Sequence, residues 1–108
     1  MPIELPQPIA DYFAADKGDG AAVADCFTPG AVVKDEGRQY SGVSEIRRWR
    51  ADVATKYTYT CEPLSAQPQG GATVVTCRLQ GNFPGSPADL RFHFRLEGNK
   101  IAALEVAP

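Results

Sequence analysis

At 108 residues the chain is the size of one domain, and burial at that length removes roughly two-thirds of the unfolded surface, enough for a core without disulfide or metal staples. With 44% hydrophobic residues, 22% charged residues and a net charge of -2, it has the makeup of an ordinary globular protein. That balance lacks the positive excess on which phosphate-backbone binding runs, and no stretch approaches the roughly 18 apolar residues of a membrane span, so nucleic acid and membrane are both excluded as partners.

Ile9, Tyr12 and Phe13 recur at i, i+3 and i+4, and Pro6 or Pro8 suits a first helical turn, which predicts a helix from about Pro6 to Asp16 ended by Lys17 and Gly18. Asp19 suits the N-cap of a short second helix with Val23, Cys26 and Phe27 inward, stopped by Thr28, Pro29 and Gly30. Ala31 to Lys34 reads as a short strand and Asp35 to Arg38 as a polar turn. A third helix begins near Val43 and places Ile46, Trp49, Val53 and Tyr57 on one stripe.

From Thr58 onward the hydrophobic period is two. Thr58 to Ser65, Thr73 to Phe83, Asp89 to Leu96 and Ile101 to Val106 read as four strands separated by turn-forming residues. Val75, Cys77 and Leu79 share one face, as do Leu90, Phe92, Phe94 and Leu96; Thr76, Arg78 and Gln80, with Arg91, His93 and Arg95, share the other. A sheet with one apolar face, preceded by helices with one apolar stripe each, buries both by stacking them. The expected architecture is one α+β domain over residues 1–108, three N-terminal helices packed on a curved antiparallel sheet.

The three cysteines, Cys26, Cys61 and Cys77, have no metal-ligand spacing, and there is one histidine in the chain, so neither a metal site nor a cofactor is expected. A hairpin centred on Gln69 would set Cys61 nearly opposite Cys77. Directly opposed strand cysteines rarely meet disulfide geometry, so both are expected as free thiols. Met1 to Pro8 shows no positive segment followed by an apolar run, and the cytoplasm is the expected compartment. In the last hairpin Leu96 is expected to pair with Lys100, which sets Phe92 against Leu104 and Arg91 against Glu105; pairing Glu97 with Lys100 would turn Glu105 inward beside Phe92, at the cost of burying a carboxylate.

The run Asp11, Tyr12, Phe13, then 19–27, then Pro29 to Asp35, with Tyr40, Ser41, Gly42 and the helix Ile46, Arg47, Arg48, Trp49, resembles the SnoaL-like branch of the NTF2-like superfamily. Phe92 to Leu96, with Gly98, Lys100 and Ile101, fits the same pattern. The resemblance covers nearly the whole chain and implies a cone-shaped NTF2-like (cystatin-like) fold. The superfamily includes ketosteroid isomerase, polyketide cyclases, dehydratases and transport factors, so fold alone leaves function open.

The resemblance further implies a cavity between helices and sheet, with Val33, Trp49, Arg50, Cys77, Leu79, Phe92, Phe94 and Leu104 around a small apolar molecule. Tyr12 matches the ketosteroid isomerase tyrosine that donates to a developing enolate, and Asp35 matches its general base. Phe92 stands where that enzyme has a second, protonated aspartate. Each residue also has a plainer reading: Asp35 as a turn carboxylate, Tyr12 as a core residue, Arg50 with its stem along the helix edge and its head in water, and His93 facing away from the cavity. Three functions stay open: proton transfer, isomerisation or cyclisation on a small carbonyl compound; non-catalytic binding of a small molecule; or a dimerising module with a filled core. A homodimer through the polar, convex sheet face is the expected assembly.

Overall fold

The computed structural model describes residues 4–17 and 22–108. Helix α1, Gln7–Lys17, starts where expected, with the N–H groups of Ile9 and Ala10 both donating to the Pro6 carbonyl. Its inner side buries Ile9, Tyr12 and Phe13. The expected second helix is instead a single 3-10 turn, Val23–Cys26. The Asp19 cap lies outside the described residues, and Phe27 is already the first residue of strand β1, Phe27–Asp35, paired with Ile101. Thr28, Pro29 and Gly30 therefore do not end a helix. They form an irregularity in the β1 ladder, between the Phe27 and Val32 pairings.

The expected turn at Asp35 to Arg38 is the tip of a hairpin whose second strand, β2, Arg38–Ser41, went unseen in the sequence. Glu36 and Gly37 have φ of 53° and 76°, the pair of positive values that a two-residue turn of matching twist needs. Helix α2, Gly42–Lys56, follows with Ser41 as N-cap, and the Glu45 carboxylate accepts the Ser41 N–H at 2.7 Å. It buries Ile46 and Trp49.

Four long strands complete the sheet: β3 Tyr59–Gln69, β4 Ala72–Gly81, β5 Ala88–Glu97 and β6 Lys100–Ala107. The order is β2-β1-β6-β5-β4-β3, with β1 and β6 parallel and every other neighbour antiparallel. β3 runs through Pro63 and Pro68 because it is an edge strand, where a missing N–H costs no ladder bond. Its turn to β4 is only Gly70 and Gly71, both at positive φ. Among the described residues the fold is thus α+β with two α-helices and a six-stranded sheet, and no described helix is long and apolar enough to cross a membrane.

Two register expectations change. Glu97 pairs with Lys100 and Leu96 with Ile101, but a bulge at Ala102 resets the phase, so Phe94 meets Leu104, Phe92 meets Val106 and His93 meets Glu105. The bulge keeps Glu105 exposed on the convex face, where a regular ladder would have turned it toward the core. Cys61 pairs with Leu79 and Cys77 with Pro63, so the two cysteines are diagonal neighbours rather than opposed, and both are free.

Candidate functional site

Helix α1 fills one end of the concave face. The Tyr12 and Phe13 rings stand edge-on to Phe94, with centroids 5.4 and 5.8 Å away, an arrangement favoured by the ring quadrupoles. This packing leaves a cavity of about 280 Å³ at the other end, close to the lower limit of roughly 300 Å³ for ligand sites, so any occupant is small. Its walls are Tyr12, Asp16, Asp35, Glu36, Trp49, Arg50, Val53, Tyr57, Tyr59, Leu79, Phe83, Pro84, Leu90, Phe92 and Val106.

Tyr12 and Asp35 therefore share one cavity, and Trp49, Arg50, Leu79 and Phe92 line it as expected. Val33, Cys77, Phe94 and Leu104 do not. They are fully buried members of the core, because α1 and α2 close over that part of the sheet and leave no open space against them. His93 is half-buried on the opposite face, beside Glu105.

Two polar clusters interrupt the apolar wall. In the first, Trp49 Nε1 donates to Asp35 Oδ2 at 2.9 Å. The tight hairpin tip holds this carboxylate against α2, beside the Glu36 backbone N–H. Burial pushes the Asp35 carboxyl above the ordinary carboxylate value and the nearby Glu36 charge adds to that, while the Trp49 and backbone hydrogen bonds and the Arg50 charge work against it.

The second cluster centres on Arg50. Its Nη2 donates to Asp16 Oδ1 in an ion pair whose side chains are only 10% and 9% exposed, and its Nη1 donates to the Tyr59 hydroxyl at 3.2 Å. The plainer reading of Arg50, head in water, is therefore overturned. Partnership with Asp16 offsets desolvation that an isolated buried guanidinium would suffer alone. Arg50 Nε is buried without a partner, and the guanidinium carbon lies 5.1 Å from the centre of the Trp49 ring. Burial pushes the Asp16 carboxyl up, with Arg50 opposing. Burial likewise holds the Tyr12 phenol well above its ordinary value and the Tyr59 phenol above it, again with Arg50 opposing, so both hydroxyls keep their protons at neutral pH.

Asp16 and Tyr59 were missed in the sequence. Asp16 sits four residues after Tyr12, hence on the same helical face, and Tyr59 is two residues before Cys61, hence on the same strand face; those spacings were the available signal. The backbone around Tyr59 is tightly held. The Asn82 side chain accepts the Thr58 N–H at 2.8 Å, the Asn82 N–H donates back to Thr58 at 3.1 Å, and a Cβ at Gly81 would lie 2.6 Å from Tyr59 Cα. Among the described residues no three metal-ligating side chains converge.

A helix-capped cone with a small aromatic cavity and a few converging polar groups defines a class of small-molecule pocket folds. The chain belongs to the SnoaL-like family, whose domain model matches residues 9–104. The structure is similar to that of a proposed polyketide cyclase from Sinorhizobium meliloti, at 38% identity and a TM-score of 0.89 over 94% of each chain. It is also similar to a ketosteroid isomerase-like fold from Catenulispora acidiphila, solved with trimethylamine, at 18% identity and a TM-score of 0.84 over 97% of this chain and 87% of that one. A cystatin-fold protein from Novosphingobium aromaticivorans is similar at 18% identity and a TM-score of 0.75, over 94% and 95%. These last two are likenesses of fold. No curated protein matches the chain.

Proposed function

We propose that the cavity binds a small, largely apolar carbonyl compound and catalyses proton transfer on it, as in an isomerisation or cyclisation, with Asp35 as base and Tyr12 as donor to the developing oxyanion. The observation that carries this reading is that the carboxylate and the phenol line one aromatic cavity. A carboxylate whose proton affinity is raised by burial is a better base toward carbon, and a protonated phenol in a water-poor wall stabilises negative charge on oxygen. The likeness to a proposed polyketide cyclase agrees with it. Asp16, Asp35 and Glu36 outnumber Arg50 around the cavity, which favours a neutral ligand over an anion.

Deuterium exchange into small cyclic ketones, followed by NMR, tests the proposal. The wild type should accelerate exchange next to the carbonyl, and Asp35→Asn should lose roughly 10²-fold or more of that rate. A second reading, non-catalytic binding, draws on the hydrogen bond that Asp35 already accepts from Trp49. Ketone binding without exchange would favour it.

A further inference from the structure

The oxyanion site read from the sequence has one donor, because Phe92 stands where a second acid would be. The geometry points to Tyr59 as the second donor: we propose that its hydroxyl and that of Tyr12 bind the same ligand oxygen, with Arg50 and Asp16 as positioning residues. This rests on the proton-transfer reading above.

A guanidinium has five N–H donors and no acceptor. The 3.2 Å contact between Arg50 Nη1 and the Tyr59 hydroxyl oxygen therefore fixes the direction of that bond: Tyr59 accepts. Its own proton is left for another acceptor, and among the described residues the hydroxyl donates to none. Tyr59 lines the cavity, so that proton is available to an acceptor oxygen of a molecule bound there. Accepting from a cation also polarises the O–H bond and strengthens it as a donor.

Position is set from three sides. Arg50 is anchored by Asp16, one turn along α1 from Tyr12, which ties the strand phenol to the helix phenol through one buried ion pair. The Tyr59 phenol adds to the forces that oppose ionisation of Tyr12, and the charge of Arg50 acts on both phenols, which places the two hydroxyls around one guanidinium. The Thr58 and Asn82 hydrogen bonds and the close approach at Gly81 fix the start of β3. Asp16 neutralises Arg50, so the cation orients Tyr59 instead of capturing an anion itself. Two converging phenols thus replace the pairing of a phenol with an acid.

The test uses 2-naphthol as a stand-in for the enolate and naphthalene as the same body without oxygen, with affinities from fluorescence titration. The wild type should bind naphthol more tightly than naphthalene. Tyr59→Phe should weaken naphthol by about ten-fold or more and leave naphthalene within two-fold, the span expected when a hydrogen bond to a charged partner is lost. Equal weakening of both probes would mean that Tyr59 only shapes the wall, and no weakening of either would mean it does not touch the oxygen; each overturns the assignment. Should Tyr59→Phe not fold, 3-fluorotyrosine placed at residue 59 keeps the shape with a more acidic phenol. It should then tighten naphthol alone, and an unchanged affinity overturns the proposal. A wild type that binds neither probe overturns the proposed function itself, whereas normal binding with an insensitive Tyr59 leaves that reading standing.

Discussion

The Trp49 indole and the Asp35 carboxylate meet at 2.9 Å, across a separation of fourteen residues, because the β1 to β2 hairpin folds its first strand end back under α2. The contact satisfies an indole N–H that is otherwise buried and directs one carboxylate oxygen away from solvent. Burial raises the Asp35 pKa, and Trp49 is the foremost of the groups that hold it back.

Trp49→Phe should raise the Asp35 pKa further, since the hydrogen bond it removes favours the ionised carboxylate and the burial that opposes ionisation stays. Stability should fall by about 1–3 kcal/mol, from the smaller ring and the lost bond together. Carboxyl carbon NMR titration of both proteins checks the direction. An Asp35 pKa that drops in the variant would show that the indole is not its partner.

The Arg50 and Asp16 pair should be strongly asymmetric in its response to mutation. Asp16→Asn leaves a guanidinium buried with less than a full partner, and breaking such a pair typically costs about 3–5 kcal/mol. The double variant Asp16→Leu with Arg50→Met removes both charges and should recover much of that loss. Urea denaturation of the single and double variants measures it, and additive losses would mean the two groups are not coupled.

Native thiol titration should separate the three cysteines. Cys77 is fully buried, and the neighbouring Cys61 thiol, together with burial, pushes its thiol far above the ordinary value, so it should be unreactive in the folded protein. Cys26 is partly exposed and its thiol is also raised by burial, which predicts slow but measurable labelling. Denaturation without reductant should reveal three thiols. A count of one would mean that Cys61 and Cys77 had bridged.

The proposed homodimer would meet through the convex face, where Arg78 pairs with Asp89 at 3.0 Å and the exposed Arg91 and Arg95 flank the half-buried His93. So polar a surface should give a wet and salt-sensitive association. Sedimentation at low micromolar protein should show dimer at moderate salt that dissociates as salt rises. Monomer at every salt concentration would remove the proposal.

The sheet was legible because its strands alternate strictly. Phe92 and Phe94 against Arg91, His93 and Arg95 allow only one facing, and α2 announced itself through Ile46, Trp49 and Val53. The bulge at Ala102 was not legible, because alanine suits either face and the phase change shows only when both sides of the hairpin are paired. The second helix failed for a related reason. Val23, Cys26 and Phe27 have helical spacing, but Phe27 gains more by pairing beside Ile101 in the sheet core. Half the expected cavity wall proved to be core because sequence pattern reports which face a side chain takes, while α1 decides how far along that face the space is filled. Asp16 and Tyr59 were passed over because a helix-end aspartate and a tyrosine at the start of an edge strand look like surface residues until Arg50 is seen between them.

Asp35 should leave a signature in the pH dependence of stability. Burial raises its pKa in the folded state above the ordinary 3.8, so between that value and the folded pKa the native protein binds more protons than the unfolded chain. Stability from this group is fully present below the unfolded pKa and is lost as pH rises through the folded one. Asp16 has the same sign and shares the window, so the informative quantity is the difference between wild type and Asp35→Asn, which cancels Asp16. Asparagine keeps an oxygen that can accept the Trp49 N–H and cannot ionise. The variant should therefore equal the wild type near pH 4 and be at least as stable at pH 7, with a flatter profile between. Urea melts at pH steps from 4 to 7 measure that difference. A variant that loses stability at pH 7 but not at pH 4 would show that the ionised carboxylate stabilises the fold, which would make Asp35 a structural turn residue and remove the base from the proposed reaction.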